Sequence, residues 1–317
     1  MGMVNSTGFG GLVSSGLARV AFSKYIIAKG TERDFLSDIV NNEWDQDVLD
    51  CMQVVQFSVK PYVGEWRDYN DTQQMIADEP TPSFIKLQIC RAAYKAIAIS
   101  ELDKVQLCDR YTMFESAFVD ALWEGLATLC RKYAIGGMYG AAEHHGKHAG
   151  LGLDVNLGAS GDAITVTSEN IHHIFSRARR VLAEKYRWSQ TPGEMFALIS
   201  PAVEEMILNS TKFSKVNELG TSGESQILTG QMKGTIMGFS IYVTNNVITS
   251  STGEISLLFG WRQAYIFYMN IIRARIQPQP KSFVDEYQAL AIYDGKAIMP
   301  DALAVAVIKL NNTLGDD

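Results

Sequence analysis

Three histidines in one short segment are the residues of this chain best suited to metal chemistry. His144, His145 and His148 occur in the sequence AAEHHGKHAG. Imidazole nitrogens this close together can hold a zinc or nickel ion. Metal-binding histidines on a helix lie on one face, whereas two of these are adjacent and Gly146 interrupts the segment. The spacing favours a polar loop without a metal ion, and a metal-dependent enzyme is the alternative.

Other sequence patterns that carry chemistry are not found. The glycines between Gly150 and Gly161 do not form GxGxxG, and the chain contains neither GxxxxGK[ST] nor GxSxG. These patterns would place backbone amides around a phosphate or expose a nucleophilic serine. The sequence therefore predicts no catalytic residues, no cofactor and no enzyme activity.

The densest basic cluster follows one predicted helix. It consists of Arg177, Arg179, Arg180 and Arg187. It could face DNA or an acidic loop of a neighbouring subunit, but a solvated helix face is favoured. The formal net charge of -7 argues against tight, sequence-independent DNA binding. We expect only weak, non-specific contact with DNA.

The composition predicts a globular protein that folds in a reducing compartment. The 317 residues are 47% hydrophobic and 20% charged, enough for one large domain or two interleaved ones. No CxxC spacing occurs, which predicts free thiols at Cys51, Cys90, Cys108 and Cys130. Neither a signal peptide nor a membrane-spanning segment is evident, so no membrane association is expected.

A long two-stranded excursion is predicted from the alternation of Val54–Lys60 and Ser83–Ile89. The intervening tip is acidic and carries interleaved aromatic residues. Four of its residues are candidates for a subunit interface: Trp66, Arg67, Asp68 and Tyr69. A loop of this length usually binds something, and exposed tryptophan and tyrosine often anchor interfaces. The alternative is a solvated loop.

Helices and strands are both predicted in the rest of the chain. Apolar periodicity indicates a helix from Thr112 to Tyr133 that ends near Gly136-Gly137, and a second that begins at Ser168-Glu169. Ser200-Pro201 has the pattern of a helix cap followed by proline at the first helical position. β-branched and aromatic residues then predict strands at Thr235–Val243 and Ile255–Phe259. The fold class is α+β.

Several ordered motifs resemble major capsid proteins of tailed bacteriophages with the Hong Kong 97-type fold. LISPAVEEMILNS at Leu198–Ser210 is similar to the family's strand followed by a Pro-led helix. GFSIYVTNN at Gly238–Asn246 is similar to its most specific signature. The segment Phe283–Ile308 resembles its closing strands, with Asp294 standing where a glycine is expected in a Tyr-Gly-Lys turn. The resemblance spans roughly Cys51–Leu310.

The resemblance implies a division of the chain into named parts. Residues 1–50 would form an N-terminal arm, and 51–100 the E-loop with flanking P-domain strands. Residues 101–140 would form the P-domain spine helix, and 141–260 mainly the A domain. Residues 261–317 would return to the P domain and the C-terminus.

The function implied is self-assembly into hexamers and pentamers of an icosahedral head that encloses the double-stranded DNA genome. The chain would occupy the virion, and the host cytoplasm during assembly. Portal, separate scaffolding and possibly cement proteins would be partners. An encapsulin-like nanocompartment is the alternative.

The same resemblance, together with the charges, suggests how neighbouring copies meet. We expect the acidic loop tip to dock on a neighbour's P domain or spine helix. Trp66, Tyr69 and the carboxylates would make the contact, paired with arginines such as Arg273 or Arg275. The stretch Pro61–Phe84 contains no lysine, so we expect no covalent lysine-to-asparagine link and a shell held non-covalently.

Overall fold

The described part of the protein comprises several ranges separated by gaps. A computed structural model describes residues 35–41, 54–62, 81–101, 111–185, 187–191, 193–210, 235–280 and 282–311. Its helices are α1 (Leu36–Ile39), α2 (Tyr111–Ala141), α3 (His172–Glu184) and α4 (Pro201–Leu208). Its strands are β1 (Val54–Tyr62), β2 (Thr81–Gln88), β3 (Arg91–Ser100), β4 (Lys147–His148), β5 (Val155–Asn156), β6 (Ile164–Val166), β7 (Met195–Ile199), β8 (Thr235–Ile236), β9 (Phe239–Val243), β10 (Glu254–Trp261), β11 (Tyr265–Pro278), β12 (Val284–Ala297) and β13 (Leu303–Leu310).

A six-stranded mixed sheet forms the larger core. Its strand order is β6-β13-β10-β7-β9-β8, and the pairs β13–β6 and β7–β9 are parallel. Every residue of β7, MFALI, is buried. A strand covered on both faces reads as a continuous apolar run, because both sets of alternating side chains enter a core. The segment 261–317 contributes strand β13 to this sheet and strands β11 and β12 to a separate three-stranded sheet.

Helices cover the six-stranded sheet on its two sides. Met195, Ala197 and Ile199 of β7 face the cluster formed with α3 and α4, while Phe196 and Leu198 face the cluster formed with α1 and α2. The predicted apolar face of α3 is confirmed, and its buried residues are Ile174, Phe175, Ala178, Val181 and Leu182. The sheet is therefore the middle of three layers.

The second sheet has three long antiparallel strands in the order β11-β12-β3. A short 3-10 turn, Arg262–Ala264, joins it to β10 of the first sheet. Helix α2 packs against it through ring contacts of Tyr133 with Phe267 and Tyr293. Because α2 also enters the core of the six-stranded sheet, it connects the two sheets.

The predicted two-stranded excursion is confirmed. Strands β1 and β2 pair antiparallel from Val54↔Gln88 to Tyr62↔Thr81, and among the described strands they pair only with each other. We call this pair the β1–β2 arm. Two residues, Ile89 and Cys90, separate it from β3.

One predicted helix cap is confirmed, and one predicted strand is divided by a turn. The Ser200 hydroxyl accepts a hydrogen bond from the Val203 amide at 3.4 Å and caps α4, as predicted. The predicted strand Thr235–Val243 is instead a tight hairpin, β8 and β9. Its turn residues Met237 and Gly238 both have positive φ, 51° and 90°, which suits the right-handed twist of a hairpin.

The predicted end of α2 near Gly136-Gly137 is wrong. The helix continues to Ala141. Gly137 serves close packing, because a Cβ there would overlap the Tyr265 hydroxyl. Within the described ranges no helix, α2 included, is long and apolar enough to cross a membrane.

The family's Tyr-Gly-Lys turn, from which this sequence departs at Asp294, is not formed at Tyr293–Lys296. These residues lie inside β12, which runs unbroken from Val284 to Ala297 and pairs with β11 through Tyr268↔Asp294. Asp294 suits a strand here because its carboxylate meets donors from neighbouring elements.

Alanine substitutions at adjacent glycines of α2 should have opposite effects. Gly136→Ala meets no atom within 4 Å, so higher helix propensity should stabilise the protein by up to about 1 kcal/mol. Gly137→Ala should destabilise it by about 1–3 kcal/mol, because the Tyr265 ring must move. Denaturant unfolding of the two variants measures both, and equal stabilities would contradict the packing role of Gly137.

Candidate functional site

An open groove lies on one face of the three-stranded sheet, toward the turn that joins β11 to β12. Cross-strand register aligns two rows of side chains there. The rows are Arg273–Leu290–Tyr94 and Arg275–Gln288–Ala96. Together with neighbouring residues they line a cavity of about 530 Å³. We call this the sheet groove.

The sheet groove combines exposed apolar surface with a positive balance of charge, because three cations and one carboxylate, Glu286, line it. The Tyr94 side chain is 82% exposed and Leu290 is 38% exposed, unusual for large apolar residues without a partner. Arg273 and Arg275 are exposed, and the Arg275 Nε donates to the Gln288 Oε1 at 2.9 Å. Such a surface fits a ligand that presents aromatic rings and carboxylates.

The predicted interface residues divide between the described and undescribed parts of the chain. Arg273 and Arg275 lie side by side in the sheet groove. Trp66, Arg67, Asp68 and Tyr69 lie outside the described residues.

Sequence reasoning missed the apolar part of this surface. Tyr94, Gln288 and Leu290 come from strands β3 and β12, whose register places them beside the arginines. Alternation along β3 could have paired Tyr94 with Ala96. Only the strand register could have brought them to Arg273.

The base of the β1–β2 arm packs on the same face as the sheet groove. Leu87 of β2 contacts Ile266 and Tyr268 in a small buried cluster, against which Ile292 packs. Ile292 and Leu290 are two residues apart on β12 and so project to the same side. The arm therefore leaves the sheet next to the groove.

The four arginines of the basic cluster are engaged within the chain. Arg180 makes a 2.6 Å ion pair with Glu184 and donates to the carbonyls of Leu151 and Leu153. The hydrogen bond from Arg180 holds the pKa of Glu184 below its usual range. This pair ties the 150–154 loop to α3.

The other three arginines have partners too. Arg187 pairs with Asp301 at 2.7 Å, and Arg177 donates to the Asn156 carbonyl at 3.3 Å. The Arg179 guanidinium lies 4.8 Å from the Trp188 ring centroid. The interpretation of this cluster as a solvated helix face is therefore incomplete, because the arginines fix loops.

The histidine segment does not gather its three imidazoles. His144 is buried, its Nε2 lies 2.9 Å from the Asp301 carbonyl, and its ring is 5.1 Å from that of His148. His145 is exposed. Among the described residues, no three His, Cys, Asp or Glu side chains are grouped to hold a metal ion. His144 instead attaches the segment to β13, since its carbonyl accepts from the Val305 amide.

Comparisons with known proteins were made for the sequence and for the structure. No family model and no curated protein matches the sequence. A chain of Mycobacterium phage Che8 superposes with a TM-score of 0.66 at 17% identity, over 93% of this chain and 97% of that one. The capsid structure of cyanophage P-SCSP1u gives 0.65 at 11% identity, over 94% of each chain. The mature capsid of bacteriophage PhiM1 gives 0.63 at 12% identity, over 92% of each.

These likenesses are at 11–17% identity and concern the fold. They extend over nearly the full length of both chains. This chain therefore has the α+β, Hong Kong 97-type fold of tailed-phage capsid proteins, as the sequence resemblance predicted.

The histidine segment should make stability depend on acidity. Burial and the nearby His144 lower the pKa of His148. Because the unfolded chain then binds a proton more readily, this contribution to stability is present above pH 6.5 and is lost as the pH falls. His148→Gln should therefore lose less thermal stability than the native protein between pH 7.5 and pH 5. His173→Gln, at an exposed histidine of α3 that does not contribute to the lowered pKa of His148, is the control, and identical behaviour of the two variants would contradict the assignment.

Proposed function

We propose that this chain is the major capsid protein of a tailed bacteriophage. Copies would assemble into hexamers and pentamers and build the icosahedral head around double-stranded DNA. The observation that carries the proposal is the likeness to phage capsid chains over more than nine-tenths of both chains. Scaffolding, portal and cement proteins are proposed as further partners.

The β1–β2 arm supports self-assembly on physical grounds. An isolated two-stranded ribbon is only marginally stable in water, and unpaired strand edges invite other chains. Within the described ranges, the arm pairs with no third strand. A neighbouring copy that covers the arm would supply the missing contacts.

We further propose that the loop between β1 and β2 docks in the sheet groove of a neighbour. Residues 63–80 carry five carboxylates and one arginine, together with Trp66 and Tyr69. The groove offers the complementary chemistry, Arg273 and Arg275 beside Tyr94 and Leu290. Exposed ion pairs contribute about 0–1 kcal/mol each, so the aromatic side chains would supply most of the affinity and the charges the register.

No catalytic role is proposed for this chain. The buried His144 has a packing role, and the arginines of α3 hold loops. A nanocompartment shell subunit would share the need for an interlocking arm, so the contents of assembled particles must decide between the two shells.

Negative-stain electron microscopy of the purified protein tests the proposed function. Co-expression with the neighbouring genes should give closed icosahedral shells, or hexamer and pentamer rings. Particles that enclose DNA when the packaging genes are present would support the phage head. Shells that close without other genes and enclose a protein would favour the nanocompartment, and a small oligomer that never assembles would overturn both.

Charge reversal tests the docking of the loop in the groove. Arg273→Glu with Arg275→Glu should reduce assembled particles about tenfold or more, because each loss of 1.4 kcal/mol is a factor of ten. Adding Glu65→Arg and Asp68→Arg to the same chain should restore part of the yield. Trp66→Ala with Asp68→Ala should also reduce assembly.

Two results would count against this contact. One is a normal particle yield from the doubly reversed arginine variant. The other is a failure of the compensating loop changes to restore any yield while the subunits remain folded. Lys132→Glu with Lys309→Glu, at two exposed lysines of α2 and β13 that do not line the sheet groove, is the matched change of charge.

A further inference from the structure

One carboxylate lies where three elements of the described structure meet. Asp294 of β12 is only 8% exposed. Its Oδ2 accepts from the Cys90 amide at 3.1 Å, and its Oδ1 accepts from the Tyr133 hydroxyl at 2.8 Å. Its own strand contributes the Gly295 amide at 2.8 Å. The base of the β1–β2 arm, helix α2 and the three-stranded sheet are thus joined at one side chain.

The position of Cys90 gives this contact its importance. Strand β2 ends at Gln88 and β3 begins at Arg91, so the chain passes from the arm to the sheet in two residues. A backbone amide in such a break has no ladder partner and bonds to a side chain or to water. Asp294 provides it, just beyond the last β12–β3 pair, Tyr293↔Arg91.

The surroundings hold Tyr133 in its donating form. Its ring packs edge-on against Tyr293 at 5.3 Å, and the Arg91 guanidinium lies 4.5 Å from its ring centroid. Burial, followed by the hydrogen bond to Asp294, raises the pKa of Tyr133 above its usual value. The hydroxyl therefore keeps its proton at any pH at which the protein would assemble.

We infer that the Asp294 carboxylate is the joint that fixes the direction of the β1–β2 arm relative to α2 and the three-stranded sheet, and that it thereby sets how neighbouring copies meet. This inference rests on the proposed self-assembly. Asp294 is a positioning residue, since it acts through the arm.

The geometry of the arm explains why one joint matters. β1 has nine residues and spans about 30 Å, so a swing of about 10° at its base moves its far end by about 5 Å. That displacement exceeds the reach of a hydrogen bond and of a close apolar contact. Other contacts at the base, the Leu87 cluster and the Lys296 Nζ bond to the Lys86 carbonyl at 2.9 Å, hold the arm down. Unlike those two contacts, the Asp294 carboxylate also binds α2, through the Tyr133 hydroxyl.

Three variants that remove different hydrogen bonds at Asp294 test whether it fixes the arm. Asp294→Ala removes the acceptors of the Cys90 amide, the Tyr133 hydroxyl and the Gly295 amide, whereas Asp294→Asn keeps one acceptor oxygen. Tyr133→Phe keeps the packed ring and removes only the hydroxyl. Hydrogen exchange should be at least about tenfold faster at the Cys90 amide in Asp294→Ala, the factor for one lost charge-assisted hydrogen bond. Exchange in β7 and β10 should be unchanged.

Assembly of the same variants supplies the second measurement. Asp294→Ala should give shells of altered size or open sheets, with Asp294→Asn and Tyr133→Phe intermediate. Asp154→Asn, at an exposed aspartate, should behave as the native protein. If the β7 amides of Asp294→Ala lose their protection from hydrogen exchange, that variant does not fold. Asp294→Asn and Tyr133→Phe then test the role of the Asp294 carboxylate.

Different results would contradict the role of Asp294 and the proposed capsid function. Native particle size and native Cys90 exchange in Asp294→Ala would overturn the joint while leaving the capsid proposal intact. A native protein that never assembles would overturn the capsid proposal, and the exchange rate would still report whether Asp294 holds the arm.

Discussion

The ring of Tyr265 occupies a space that only glycine neighbours leave open, and the arrangement of the two sheets depends on it. A Cβ at Gly137 of α2 or at Gly295 of β12 would overlap this ring. Tyr265 is also the first residue of β11, directly after the turn from β10. The same side chain therefore sets the distance from the helix to the long strands at the point where the chain leaves one sheet for the other.

Burial of the long strands differs between their two ends. At the Tyr265 end, β11 and β12 are buried against α2. At the other end Ile276 is 55% exposed and Phe283 is 88% exposed. Apolar surface of this kind on a single chain marks a place for a partner. The described structure thus has a buried core at the Tyr265 end of the long strands and exposed apolar surface at their other end, which suits the proposed contact with another copy.

Much of the fold could be predicted from the sequence because its signals were local. The apolar stripe of α3, the Ser200 cap and the strands of the arm each depend on residues close in sequence, and all are confirmed. The two errors arose where packing partners distant in sequence override local preference. A glycine pair predicts a helix end, but Gly137 makes room for Tyr265. Tyr-Asp-Gly-Lys reads as a turn, but Asp294 accepts hydrogen bonds from residues far along the chain. The groove was only half predicted, because register alone brings Tyr94 to Arg273.

The hydrogen bonds at the base of the arm also have a mechanical meaning. A pull on the arm reaches the sheet at Arg91, where β3 begins to pair with β12. If the force acts along β3, all its pairs with β12 must shear together, which resists strongly. If it acts sideways, β3 peels away one pair at a time, starting at Arg91. The Cys90 amide and the Lys86 carbonyl are tied to β12 immediately ahead of that point. Peeling must first break these two hydrogen bonds. They therefore raise the force needed to begin separating β3 from β12 at Arg91, the end of β3 where separation would start.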